Sequence, residues 1–413
     1  MKAVEVIGGY PLNGELKVQG SKNGILPVLA AVVLQKGVCV LHNCPDIQDV
    51  RETLFILQDL GAVCQFRKGT ITIDTENIRN IHIPEHKTSR MRSSILFLGA
   101  ILGRFKEVSM GKAGGCDIGS RPIDMHLNGF SKMGAFVEEN DEAIQAKGRL
   151  EGTDIILRVP SVGATENIML GAAMAKGVTV IYNAAKEPEI VELALFLKQM
   201  GAQIYGEGSS TIIIAGVKEL HGTEYTIMPD RIVAGTYLLA AAATRGKVRV
   251  HQVNQEHLGA VKVVLRQMGA VIEEAADSIY VNGEAAEKSL NYLKTEIYPG
   301  FPTDLQSPLL SVLSIAKGES HIYESIFENR YRTVAELRKM GANIRCYEKM
   351  VVVHGVDSLY GCEVEGHELR GFAALVIAAL TAEGRTKICN KCFAERGYEN
   401  IVRDFLKLGG KII

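Results

Sequence analysis

The sequence predicts an α/β protein of two lobes, each built from three helix–strand–helix–strand repeats, with apolar helices inside and sheets outside. Three observations carry this. The pattern apolar-x-x-(Met/Leu)-Gly-(Ala/Gly)-x-(Val/Ile/Cys) recurs at 57–64, 130–137, 197–204, 265–272, 337–344 and 405–412, with its glycines 67 to 73 residues apart. An alanine-rich apolar segment precedes each copy and leads into a β-branched run, usually through a glycine. Segments such as Ile168-Met-Leu-Gly-Ala-Ala-Met-Ala are apolar on every side, which suits a helix buried all round.

Taken in order, residues 5–19 read as an opening strand that completes the lobe of the last repeat. The first apolar helix covers 25–34 and stops at Gly37. A glycine there can take the left-handed conformation that ends a helix, and the strand Val38-Cys-Val follows. Gly177, Gly246, Gly318 and Gly384 hold the same place in later repeats, whereas the copy at 96–108 has no glycine there. Each second helix ends at the repeated Met-Gly-Ala signal, at Gly61, Gly134, Gly201, Gly269, Gly341 and Gly409, and turns into strands. Six units of about 70 residues overfill a single core. The chain therefore divides near Pro229-Asp230, with one lobe at 22–229 and the other at 1–21 plus 230–413.

A chain of 413 residues, 47% hydrophobic and 23% charged, is an ordinary globular protein, and its formal net charge of −1 argues against nucleic-acid binding. No signal-peptide core follows Met1, and no apolar run reaches the roughly 18 residues of a membrane span, so a cytoplasmic location is expected. Free thiols are expected at Cys39, Cys44, Cys64, Cys116, Cys346, Cys362, Cys389 and Cys392. The lone Cys389-Asn-Lys-Cys392 pair has no second ligand pair at a readable spacing. It reads as a buried strand end and not a zinc site, so neither metal nor cofactor is expected.

The residues able to do chemistry sit in the loops. Cys116 lies in the glycine-rich stretch Lys112-Ala-Gly-Gly-Cys-Asp-Ile-Gly-Ser-Arg-Pro-Ile-Asp124. Gly114-Gly115 excludes a helix interior. Lys112 and Arg121 favour the thiolate, while Asp117 opposes it; an incidental surface cysteine fits the same residues. Lys22, in Gly20-Ser21-Lys22-Asn23-Gly24, stands at a glycine-flanked helix entrance, which suits an anion and also reads as a solvated turn.

Arg92 opens the helix at 95–102, Arg121 closes the cysteine loop, and Arg330, Arg370 and Arg396 lie in later repeats. Asn329-Arg330 and Arg396-Gly-Tyr398 both follow the first strand of a repeat, and Met91-Arg92 and Asp230-Arg231 both precede a first helix. Equivalent positions share one end of each lobe, so these cations are expected to converge on a cleft between the lobes, where arginines hold phosphates and carboxylates bidentately. Asp304, in the rigid Tyr298-Pro-Gly-Phe-Pro-Thr-Asp304, leads into a helix at 309–315 and reads either as its cap or as a general base.

Nine elements in order now carry a resemblance: Gly-Ser-Lys22-Asn23, Met-Arg92-Ser-Ser, the loop from Gly114 to Asp124, Ser161-Val-Gly-Ala-Thr-Glu-Asn167, Asn183-Ala-Ala-Lys-Glu-Pro-Glu-Ile190, Pro229-Asp-Arg-Ile, Phe301-Pro-Thr-Asp304, Phe327-Glu-Asn-Arg330 and Arg396-Gly-Tyr-Glu. Over its whole length the chain resembles the enolpyruvyl transferase family, and within it the UDP-N-acetylglucosamine 1-carboxyvinyltransferases. The resemblance implies a two-lobed inside-out α/β barrel. It implies transfer of the enolpyruvyl group of phosphoenolpyruvate to the 3-hydroxyl of UDP-N-acetylglucosamine through a tetrahedral ketal, with loss of phosphate, as the first committed step of peptidoglycan synthesis.

By matching positions, Lys22, Asn23, Arg121, Arg370 and Arg396 would hold phosphoenolpyruvate. Asn23, Arg92, Arg121, Pro122, Ile123, Asp124, Met125, Ser161, Val162, Asp304, Ile326 and Arg330 would line the sugar-nucleotide site. Cys116 would be the acid, able also to add to the enolpyruvyl group and to take fosfomycin-type epoxides, and Asp304 would accept the hydroxyl proton. The chain departs from the family's pattern at Val233, Val159-Pro160, Glu368, Phe393-Ala-Glu395 and Asp117. The alternative is the sister transferase acting on shikimate 3-phosphate. A sixfold scaffold binding anionic partners would leave the cationic loops and Asp304 unexplained.

Overall fold

The computed structural model describes residues 3–115 and 118–413. Contacts divide the chain into two compact units, one of residues 1–19, 117–120 and 229–413, the other of residues 20–116 and 121–228. The division falls at Gly20 and Pro229. It also assigns 118–120 to the unit that holds Asp304, whereas the sequence reading kept that stretch with residues 22–229.

Each unit contains three four-stranded sheets of one design. In the first repeat the helix Lys22–Ala31 leads to strand Val38–His42, helix Gln48–Leu60 and the strands Val63–Arg67 and Thr70–Asp74. Val38–His42 pairs antiparallel with Thr70–Asp74, Val40 opposite Thr72, and parallel with the edge strand Glu224–Thr226. That edge strand comes from the end of the third repeat. His82–Ile83 likewise passes from the first repeat to the second repeat's sheet, and Asp154–Ile156 from the second to the third, so the exchange is cyclic.

In the other unit the cycle is closed by the opening stretch, which is two strands and not one. Val4–Ile7 lies between Arg385–Cys389 and Lys411–Ile412, with Val4 opposite Ile388 and Val6 opposite Ile412. Asn13–Lys17 pairs in parallel with Lys247–His251, three repeats later in the chain. The sixth repeat thus takes its remaining hairpin strand from the start of the chain.

Strands alternate buried and exposed positions, so each sheet packs one face inward. Helices Lys22–Ala31, Leu96–Phe105 and Val162–Ala172 share one apolar core; Arg231–Ala243, Gln306–Leu313 and Leu369–Thr381 share the other. Small residues bring their backbones together: a Cβ on Gly99 would stand 2.3 Å from the carbonyl oxygen of Asn167 on the neighbouring helix. Among the described residues strands pair only within their own sheets. The inside-out barrel expected from the sequence is therefore three separate sheets around a helical core in each unit, not a closed hydrogen-bonded barrel.

The six repeat glycines at the ends of the second helices all have positive φ, between 86° and 110°. The next N–H reaches back to the helix, as from Ala62 to the Leu57 carbonyl at 2.9 Å. The ends of the first helices are less uniform. Lys106 and Arg245 take the left-handed turn themselves, at φ 64° and 55°. Gly246 is required for space instead, since a Cβ there would lie 1.9 Å from the Leu12 carbonyl oxygen.

No helix among the described residues is long and apolar enough to cross a membrane. Cys389 ends its strand but is only half-buried, and Cys392 is exposed, so the pair is not the buried strand end expected. No cluster suited to a metal ion occurs among the described residues.

Candidate active site

In the unit of residues 20–116 and 121–228, Ser21 caps the first helix, its Oγ accepting the Gly24 N–H at 3.1 Å. Lys22 is therefore the first helical residue, not a loop residue ahead of a helix beginning at 25. A cation there opposes the helix dipole at a typical cost of about 0.3–1 kcal/mol, so local stability does not select it. Asp49, in the first turn of Gln48–Leu60, offsets the charge. Lys22 Nζ lies 2.9 Å from Asp49 Oδ2, with the side chains only 12% and 6% exposed. Asn23 follows, half-buried, in the same helical turn.

Arg92 begins the 3-10 turn Arg92–Ile95, and the α-helix proper starts at Leu96. Its Nη2 donates to the carbonyl oxygen of Arg121. Burial and the charge of Arg121 lower its pKa to about 10, which leaves it protonated at neutral pH. Two mutually repelling guanidiniums are suited to a bound polyanion. Gly115 makes room for them: a Cβ there would stand 2.8 Å from Arg121 Nη2, and its φ is +122°. Cys116 and Asp117 lie outside the described residues.

Pro122 and Ile123 lead into helix Asp124–Lys132. Asp124 pairs at the surface with Arg158 at 3.2 Å, and Met125 follows it. His126 is buried, and its Nδ1 lies 2.9 Å from Asn167 Nδ2. The Asn167 Oδ1 accepts the Gly99 N–H, so its nitrogen donates and the imidazole is neutral, with its proton on Nε2. Burial, then the charge of Arg92, bring the His126 pKa down to about 4. Asn167 belongs to helix Val162–Ala172, which Ser161 caps through the Ala164 N–H at 3.3 Å.

In the other unit, Asp304 lies in the turn Thr303–Leu305 and does not cap the helix Gln306–Leu313. One carboxylate oxygen accepts from Arg330 Nη2; the other accepts from Arg370 Nη2 at 2.9 Å and Nε at 3.2 Å. Both arginine side chains are buried, 3% and 4% exposed, while Asp304 keeps 25% in solvent. Burial alone would lower the Arg370 pKa, but Asp304, Tyr398 and Asp230 hold it above the usual guanidinium value. Glu368, where the family's pattern has aspartate, caps helix Leu369–Thr381 through the Arg370 and Gly371 N–H groups and stands 3.5 Å from Arg330 Nη1. Glu324, fully buried, accepts the Ile326 and Phe327 N–H groups at 2.9 and 3.1 Å and the Thr303 hydroxyl at 2.9 Å. One carboxylate thus ties the Ile326 segment to the Asp304 turn. Residues of the cysteine loop meet the next segment: the Asn329 N–H donates to the Ile118 carbonyl at 3.1 Å and the Ser120 N–H to Glu328 Oε2 at 3.2 Å.

Arg396 closes the turn Lys391–Arg396. Two residues later Tyr398 is buried, its hydroxyl 2.9 Å from Thr236 Oγ1 and its ring 5.8 Å from the Arg370 guanidinium. The structure thus brings Asp304, Arg330 and Arg370 together in one unit, and Arg92 and Arg121 together in the other. Asp49, His126 and Glu324 were not singled out from sequence; each acts through a partner distant in the chain, which periodicity does not reveal. Of the departures, Val233 is core and Val159 is exposed.

The family model described as EPSP synthase (3-phosphoshikimate 1-carboxyvinyltransferase) matches residues 6–405. UDP-N-acetylglucosamine 1-carboxyvinyltransferase 2 of Caldanaerobacter subterraneus is 47% identical over 100% of this chain and 99% of that protein. The UDP-N-acetylglucosamine 1-carboxyvinyltransferase of Finegoldia magna is 44% identical over 100% and 98%. Among solved structures, the enolpyruvyl transferase NikO from Streptomyces tendae is similar with a TM-score of 0.88 at 24% identity, over 100% of this chain and 98% of that one. EPSP synthase from Acinetobacter baumannii is similar with a TM-score of 0.75 at 20% identity, over 100% and 99%. At these identities the two structures share the fold.

Proposed function

The chain belongs to the EPSP synthase family of carboxyvinyltransferases, and on that premise we propose that it transfers the enolpyruvyl group of phosphoenolpyruvate to the 3-hydroxyl of UDP-N-acetylglucosamine, for peptidoglycan synthesis in the cytoplasm. The observation that carries the choice of acceptor is full-length identity of 44–47% to proteins named for that sugar nucleotide. Both substrates are polyanions and the protein has a net charge of only −1, so the neutralising charge must be local. Lys22, Arg121, Arg370 and Arg396, with Asn23, are the groups assigned to phosphoenolpyruvate. Arg92, Arg121 to Met125, Ser161, Val162, Ile326, Arg330 and Asp304 are assigned to the sugar nucleotide.

In the addition step the sugar hydroxyl oxygen bonds to C2 of the enolpyruvyl group while C3 takes a proton from an acid, Cys116. Asp304 receives the hydroxyl proton. The tetrahedral ketal then loses a C3 proton, the C–O bond to phosphate breaks, and the double bond re-forms. The deciding experiment is phosphate release from phosphoenolpyruvate with each acceptor. UDP-N-acetylglucosamine is expected to support it and shikimate 3-phosphate is not; the reverse result would overturn the assignment.

A second expectation concerns Cys116, whose assignment rests on its sequence motif. A thiol is a soft nucleophile, whereas a carboxyl group supplies a proton without attacking an epoxide. Cys116→Asp is therefore expected to turn over while resisting fosfomycin, and Cys116→Ser to be badly impaired. Mass spectrometry of the wild-type protein after fosfomycin should place a single label on Cys116; a label on another cysteine, or none, removes this role.

A further inference from the structure

Arg396 ends the turn Lys391–Arg396, and the stretch that follows it, with Tyr398, belongs to no regular element before the helix Ile401–Lys407. Backbone groups in such a stretch must find partners elsewhere. Two of them find the same side chain. Gln19 Nε2 donates to the Gly397 carbonyl at 3.0 Å, and Gln19 Oε1 accepts the Glu399 N–H at 2.9 Å. The amide thus engages residues i and i+2 on one edge, as a neighbouring strand would. Gln19 is itself anchored, its carbonyl accepting the Asp230 N–H at 2.9 Å while the Val18 N–H before it donates to the His251 carbonyl at 3.0 Å. Gly397 has no slack on its other side, since a Cβ would stand 2.6 Å from Leu369 Cδ2, beside Arg370.

We propose that Gln19 is a positioning residue for Arg396: its amide clamps the Gly397–Glu399 backbone and so sets the affinity for the phosphoenolpyruvate anion. The proposal rests on the functional reading above for the role of Arg396, but the clamp is testable without it. The discriminating variant is Gln19→Glu. An ionised glutamate can still accept the Glu399 N–H, but its second oxygen faces the Gly397 carbonyl with no proton to donate. A protonated glutamate has one acceptor and one donor, as the amide has. Half-buried beside a carbonyl, it titrates above the usual carboxylate range. The titratable and charged groups around the clamp include Glu399, with Arg403 at 3.8 Å, Asp230, Arg396, and Tyr398 with Arg370 5.8 Å from its ring. They are common to both proteins, so variant-to-wild-type ratios cancel their own titration.

At pH 8 the KM for phosphoenolpyruvate in Gln19→Glu is expected to be about tenfold above wild type, the loss of a half-buried hydrogen bond with its partner left facing an acceptor. By pH 5.5 the ratio should fall to within about twofold, with kcat changing less than KM throughout. In Gln19→Ala the rise should persist at every pH. Amide hydrogen exchange at Glu399, which needs no turnover, should be accelerated in both variants at pH 8 and return toward wild type at pH 5.5 only in Gln19→Glu. Unchanged exchange at Glu399, or a KM ratio that is flat with pH or simply follows a lowered Tm, overturns the clamp. Absence of phosphate release in the wild type would instead strike the functional reading and leave the exchange measurement to decide this one.

Discussion

Asp304→Asn is expected to lower turnover by about a hundredfold or more, the usual share of a positioned general base, because an amide cannot take the acceptor's proton. The structure adds a second consequence. Asp304 is the shared counter-ion of Arg330 and Arg370, both buried, and asparagine would leave two guanidiniums facing one neutral carbonyl and one NH₂ group. Breaking a buried pair from one side typically costs about 3–5 kcal/mol, and the low end applies here because a quarter of the Asp304 side chain remains in solvent. Urea denaturation should therefore show a loss of stability of about 3 kcal/mol alongside the rate effect. The two can be separated by measuring UDP-N-acetylglucosamine binding directly. A base role predicts that kcat collapses while the dissociation constant changes little. If the rate is unchanged, Asp304 serves only as the counter-ion of the arginines.

Lys22→Met is expected to reduce kcat/KM for phosphoenolpyruvate by roughly 10²- to 10³-fold, the size of a lost charge-assisted contact to a developing anion. Methionine keeps much of the apolar stem, so packing is largely preserved. It nonetheless removes the cation that stood 2.9 Å from the buried Asp49 carboxylate. The control is the double variant with Asp49→Asn, which removes that carboxylate's charge as well. That protein should regain stability, read as the urea midpoint, without regaining turnover. Recovery of turnover in the double variant would mean that Lys22 matters only as the partner of Asp49.

What could be read from sequence alone was local and periodic. The six-fold repeat, the α/β layering, the wholly apolar helices and the left-handed glycine at the end of each second helix all follow from side-chain period and from glycine's access to positive φ. These signals extend over a few residues, so no knowledge of neighbours in space is needed to see them. The tertiary structure decided the remainder. It routes edge strands cyclically between repeats and splits the opening stretch between two sheets. It turns Asp304 from a candidate helix cap into the counter-ion of Arg330 and Arg370, pairs Lys22 with Asp49, and brings Gln19 to Gly397 across 378 positions of chain. A charged or amide side chain carries no sequence mark of its partner, because hydrogen bonds and ion pairs act over about 3 Å in space and are indifferent to separation along the chain.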